Sequence, residues 1–153
     1  MNKEIIDFTI IEAFEKYDKH KNPLKLSVYD LLPSGIKWNY NGNEYLVNNG
    51  NKMSVLLLKN KKNISIIEEP YNKQKNKAYI VNGSNEIAYD IKNMLLENKL
   101  FISDYNVNEY YIYEAYYIEN ELYYFMNING FDYRILFDLG IGNFNFKELH
   151  FSR

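Results

Sequence analysis

The chain has 153 residues, 18 Lys and Arg against 20 Asp and Glu, a formal net charge of -2 and no cysteine. That length suits a single domain, 1–153, able to bury a core without covalent staples, and the missing thiols exclude disulfides, thiolate metal sites and Cys nucleophiles. The small net charge excludes a global pull towards nucleic acid or anionic membrane.

The amino terminus, Met1-Asn2-Lys3-Glu4, passes directly into an amphipathic pattern with acids. No signal-peptide apolar block follows, and no run approaches the ~18 apolar residues that span a bilayer. The expectation is a soluble, cytoplasmic protein without membrane contact. Asn, Lys, Ile and Tyr all have AT-rich codons and are heavily used. The composition therefore reads as an AT-rich bacterial or phage genome, which weakens any argument from the 16 tyrosines alone.

In chain order, residues 4–17 read as a helix, with Ile6, Ile10, Ala13, Phe14 and Tyr17 on one apolar stripe. Asp18 to Pro23 breaks it. Residues 24–35 carry two readings: a short turn over Val28 to Leu32 capped by Ser27, or an extended segment through Leu24-Lys25-Leu26. From residue 36 the pattern turns to strands. Ile36, Trp38 and Tyr40 alternate with polar residues up to Asn41-Gly42, the pair a type I′ hairpin favours. That turn sets Trp38 opposite Tyr45 and Ile36 opposite Val47. Asn49-Gly50 marks a longer loop, because a two-residue turn there would set Lys52 beside Val47. Met53 to Leu58 is a nearly continuous apolar run, expected of a strand buried on both faces. Strands follow at Ile64 to Ile67 and Ala78 to Val81, joined by the polar, basic loop 69–77. Ser84 and Glu86 suggest the start of a second helix, 85–99, burying Ile87, Ala88, Ile91, Met94 and Leu95.

The last third predicts a meander of strands at 108–119, 121–128 and 131–138, turning at Asn120-Glu121 and Asn129-Gly130. The alternating tail Asn143 to Phe146 offers an edge strand. One face of the meander, from Tyr111 and Tyr113 through Tyr124 to Phe137, is apolar and is the expected core face. The other is mixed: Glu114 with Asn127 and Asp132, Tyr116 with Phe125 and Arg134, Ile118 with Tyr123 and Leu136. The expected fold class is therefore α+β, an N-terminal helix and a second amphipathic helix packed on antiparallel β-sheet, with hairpins and a three- or four-stranded C-terminal meander. The expected core includes Phe14, Trp38, Leu57, Ile91, Leu95, Tyr124 and Tyr133.

Catalytic signatures are missing. His20 and His150 stand at opposite ends of the chain, and neither a nucleophile elbow nor a phosphate-binding loop is present. No cofactor or metal is implied. Glu68 and Glu69 are neighbours that point apart if extended. The remaining signal is the mixed meander face, since Tyr, Phe and Arg supply contact area and hydrogen bonds at low entropic cost. It points to a non-enzymatic protein-binding module, of the small inhibitor, immunity or phage-antagonist kind, that occludes a partner's site. Tyr116, Tyr123, Phe125 and Arg134 would make the contact, with Glu114 and Asp132 as polar partners. Two alternatives remain. Sheet tyrosines could stack single-stranded nucleic acid, although the meander has Arg134 and no lysine among residues 100–146. A small enzyme could use carboxylate or tyrosine chemistry.

Overall fold

The computed structural model describes residues 3–98, 101 and 109–151. Among them the chain is nearly all β. Strands β1 (Ile6–Ile11), β2 (Gly35–Tyr40) and β3 (Asn43–Val47) form an N-terminal sheet in the order β1-β2-β3. Strands β4 (Met53–Leu57), β5 (Asn63–Glu68), β6 (Lys77–Asn82) and β7 (Ile87–Asp90) form a central sheet in sequence order. Strands β8 (Tyr110–Ile118), β9 (Glu121–Ile128), β10 (Phe131–Asp138) and β11 (Asn143–Phe151) form a C-terminal sheet. Every pairing is antiparallel. One short helix, α1 (Ile91–Leu96), follows β7.

The three sheets stack with the central one shared. Its Met53, Ile64, Ile66 and Val81 pack against Ile5, Ile36, Trp38 and Val47 of the N-terminal layer. Its opposite face, with Ile67, Ala78 and Ile80, meets Ile112, Tyr124, Met126, Ile135 and Phe137 of the C-terminal sheet. This double burial explains the apolar runs in β4 and β5, because a strand covered on both sides has no face to give to polar residues. Ser65, between Ile64 and Ile66 in β5, is buried and exchanges a 2.8 Å hydrogen bond with the Tyr124 hydroxyl across the second core. On the other side the Trp38 indole donates to the Gly83 carbonyl at 2.8 Å, tying β2 to the turn after β6.

The α+β expectation is corrected: neither long helix exists among the described residues. Residues 6–11 are a strand that pairs with β2 around a bulge, with Asp7 at a φ of 54°. The bulge re-aims successive side chains, so Ile5 is buried and Phe8 and Ile11 half-buried, at three-residue spacing. The buried positions are therefore not those of the expected helical stripe, Ile6, Ile10, Ala13, Phe14 and Tyr17. Of the supposed stripe, Ile6, Ile10 and Phe14 face water, with Ile6 58% and Phe14 41% exposed, while Ala13 and Tyr17 are half-buried. Phe14 thus leaves the predicted core. Trp38, Ile91, Leu95 and Tyr124 are buried in it, and Leu57 and Tyr133 pack half-buried against it.

The second helix shrinks for a local reason. The Asn82 side chain accepts from the Ser84 and Glu86 amides, and Asn85 takes a φ of 61°, which makes a turn and not a helix start. Ile87 to Asp90 then extends as β7, and Asp90, not Ser84, caps α1 by accepting from the Asn93 amide at 3.1 Å. Residue 99 of the expected helix lies outside the described residues.

The hairpins follow their turn chemistry. Trp38 faces Tyr45 and Ile36 faces Val47, while Asn127 faces Asp132 and Phe125 faces Arg134. The Asn49-Gly50 loop carries the chain from one sheet to the next, since β3 and β4 do not pair. Ser27 and Asp30 exchange side-chain-to-amide hydrogen bonds, 3.0 and 3.2 Å, around a single turn, so the capped-turn reading of that segment holds. The tail joins the C-terminal sheet as β11.

Candidate functional site

The meander face that points away from the core is built by two irregularities in β8. The turn before β9 uses Glu119 and Asn120, both at positive φ, so Ile118 pairs with Glu121. The expected register is displaced by two residues. A shift of two preserves which side chains share a face, so Ala115 and Tyr117 still point inwards. A bulge between Ile112 and Glu114 then reverses the alternation towards the start of the strand. Tyr110 and Ile112 enter the core, and Tyr111 and Tyr113 move to the outer face. The expectation that these two tyrosines lie on the core face is corrected by this bulge. Residue 108, where the strand was expected to begin, lies outside the described residues.

Asn76, in the loop between β5 and β6, holds the bulge. Its amide nitrogen donates to the Ile112 carbonyl at 2.8 Å, and its oxygen accepts from the Ile112 amide at 2.9 Å. The carboxamide thereby acts as one more peptide unit on the open edge of β8. With the loop pinned there, Tyr71 reaches the outer face. Its ring stacks on Tyr113 at 5.5 Å and meets Tyr111 edge-on at 5.9 Å. The Lys73–Glu109 ion pair fastens the same loop from the exposed side. The basic loop 69–77 therefore serves to deliver a tyrosine.

The six predicted contact residues all lie on this outer face, with rows different from those expected: Glu114–Phe125–Arg134 and Tyr116–Tyr123–Leu136, while Tyr111 joins Asn127 and Asp132. Tyr116 and Phe125 stack at 4.5 Å, almost parallel. The Arg134 guanidinium lies 5.3 Å over the Tyr123 ring, and its Nε is buried without a hydrogen-bond partner among the described residues. Phe125 and Tyr123 are themselves buried beneath their neighbours. The part open to a partner is Tyr116, Glu114 and Asp132, with half-buried Arg134 between them. The sequence reading missed Tyr71, Tyr111 and Tyr113; the buried Asn76 and the two-residue displacement are tertiary facts without a motif.

Electrostatically the face is short of cations. Burial raises the Glu114 pKa. Burial, then the Asp132 carboxylate, raises that of Tyr113. Tyr71 is raised by burial and then by Glu114. Among the described residues neither Glu114 nor Asp132 forms an ion pair.

A separate cavity of about 780 Å³ lies between the end of β3, strands β6 and β7, and α1. At its floor buried Glu68 accepts from Asn49, Asn51 and the Tyr79 hydroxyl. Burial, then this hydrogen bond, raises the Tyr79 pKa. Glu69 sits at a φ of 46° and turns away to accept from Tyr29 and the Lys52 amide. His150 pairs with Glu148 on the exposed edge strand. Among the described residues no group of three or more His, Asp or Glu could hold a metal, and no helix is long and apolar enough to cross a membrane.

No protein-family model and no curated protein matches the chain. Among solved structures, a chain in the structure of Tne2 in complex with Tni2 is similar, with a TM-score of 0.67 over 97% of this chain and 99% of that chain. The two sequences are 12% identical, so the likeness is one of fold: this chain shares its architecture with a component of a two-protein complex.

Proposed function

We propose that this chain is a non-enzymatic protein-binding module, a small cytoplasmic inhibitor or immunity-type protein of a bacterium or phage, that occludes a partner's site with the outer face of its C-terminal sheet. One observation carries the reading. The face holds a buried polar atom without a hydrogen-bond partner among the described residues, the Nε of Arg134, beside stacked Tyr116 and Phe125 and the exposed carboxylate of Glu114. An unsatisfied buried group costs about 1–3 kcal/mol, and a partner towards which the Arg134 side chain reorients recovers that cost by accepting from its Nε. The fold shared with a component of a protein–protein complex supports the same direction. Against catalysis, the shifted tyrosines are all driven upwards, away from neutral proton transfer.

The test is tagged co-purification from host lysate, with and without nuclease, comparing the natural chain with Tyr116→Ala plus Arg134→Ala. A stoichiometric protein that survives nuclease and is lost in the double variant is the expected result. Recovery of nucleic acid in its place, lost on digestion, would transfer the reading to single-stranded nucleic-acid binding. Glu114 and Asp132 oppose that outcome, because carboxylates beside the rings repel a phosphodiester backbone.

A further inference from the structure

We infer that the tyrosine cluster Tyr71–Tyr111–Tyr113, edged by Glu114 and Asp132, is a seat for a cationic side chain, an arginine guanidinium presented by the protein partner. The inference rests on the protein-binding reading and names the chemistry that this face recognises.

The first argument is the rings. Three tyrosines converge from two separate segments, with centroids 5.5 to 6.1 Å apart. Tyr71 is stacked on Tyr113 yet remains 45% exposed. Exposed aromatic faces attract cations through the ring quadrupole, most strongly where several rings converge.

The second argument is charge. Glu114 and Asp132 stand close enough to Tyr71 to resist its ionisation, and neither has a cation of its own among the described residues. Asp132 accepts from the Asn127 amide group at 3.2 Å. Lys73, on the same loop as Tyr71, is engaged by Glu109. Two carboxylates without an ion-pair partner among the described residues, beside a partly desolvated aromatic surface, favour a positive group from outside the chain.

The shape of the seat selects guanidinium over ammonium. A planar fork lies flat on a ring while its N–H groups reach carboxylates at the edge, which a compact ammonium does less well. The same face already contains that arrangement internally, with Arg134 over Tyr123. The seat is also pre-organised, since Asn76 fixes the bulge that presents Tyr111 and Tyr113. Little ordering entropy is then lost on binding.

The test uses the full chain with isotope-labelled tyrosines, titrated at millimolar concentration with a capped Gly-Arg-Gly peptide, its lysine counterpart and its citrulline counterpart. Citrulline keeps the shape and removes the charge. The expected result is movement of the Tyr71, Tyr111 and Tyr113 signals with the arginine peptide, a weaker response to lysine, and none to citrulline. Glu114→Gln with Asp132→Asn should weaken the arginine response roughly tenfold. Tyr71→Phe should retain it and Tyr71→Ser should abolish it, each with an unchanged melting temperature for the C-terminal sheet. Absence of movement, or an equal response to citrulline, overturns the inference. The two readings separate cleanly. If the Glu114→Gln, Asp132→Asn variant still holds the same protein partner at full strength while Tyr116→Ala with Arg134→Ala loses it, protein binding stands and the arginine seat falls. If the arginine peptide binds as described and the face variants do not affect any partner, the seat stands and the occlusion reading falls.

Discussion

Asn76 and Ile112 exchange two hydrogen bonds across the edge of the C-terminal sheet, 2.8 Å from side-chain amide to backbone carbonyl and 2.9 Å from backbone amide to side-chain oxygen. The same amide group also faces the Glu68 and Glu69 carbonyls at 3.2 and 3.4 Å. A single buried carboxamide thus joins two strands' backbones and sets the position of Tyr71. Replacing it by alanine leaves the Ile112 amide and carbonyl buried without partners. Asn76→Ala should cost about 2–4 kcal/mol by urea unfolding. Because the loop loses its anchor, the Tyr71 ring contacts to Tyr111 and Tyr113 should weaken in NMR spectra of the folded fraction.

The Ser65–Tyr124 bond crosses the core between the central and C-terminal sheets. Tyr124→Phe leaves the Ser65 hydroxyl buried and unpaired, at a cost of about 1–2 kcal/mol. Adding Ser65→Ala should recover most of that loss, since removing both partners removes the unsatisfied group. A double-mutant cycle measured by denaturation decides it: strictly additive losses would mean the bond contributes nothing.

Gly83 permits the approach of the turn after β6 to the first core. A Cβ there would lie 2.2 to 2.4 Å from ring carbons of Tyr40. Its carbonyl is the acceptor of the Trp38 indole. Gly83→Ala should destabilise by about 1–3 kcal/mol through forced displacement. Emission of the chain's single tryptophan should also shift to the red if the displaced turn lets water reach the indole.

Glu114 carries a pH signature. Burial raises its folded pKa above the unfolded value, so the folded chain holds the proton more tightly than the unfolded one. Stability is then greatest below the unfolded carboxylate value and falls as pH rises from that value through the raised folded one. Glu114→Gln should therefore be stabilising at neutral pH, by less than about 1 kcal/mol because the group is open to solvent. The difference from the natural chain should vanish in acid. Melting temperatures of both proteins across that window provide the measurement, and a gain that persists in acid would contradict the assignment.

The parts of this structure that were legible in the sequence are those controlled by neighbouring residues. Asn41-Gly42 and Asn129-Gly130 fix two hairpins and their registers because only residues tolerant of positive φ close a type I′ turn. The nearly continuous apolar run Met53 to Leu58 marks a strand covered on both sides. The Glu119-Asn120 turn was one residue out of place, yet the faces survived because the displacement in pairing was two.

The illegible parts depend on contacts between distant segments. The apolar stripe from Ile6 to Tyr17 has helical spacing, but pairing of Ile6–Ile11 with β2 around the bulge at Asp7 overrides that local pattern. The bulge in β8 reversed Tyr111 and Tyr113, and what holds it is an asparagine some 36 positions away in sequence. By itself, the sequence determined the Asn-Gly hairpins at residues 41–42 and 129–130 with their registers, the buried apolar run from Met53, and which side chains of the last two meander strands share a face. The tertiary structure alone decided that the layers are three sheets, and that Tyr71 joins Tyr111 and Tyr113 beside Glu114 and Asp132. The reason is physical: turn conformation is a local energy, whereas a bulge forms only where a remote partner satisfies the backbone groups it releases.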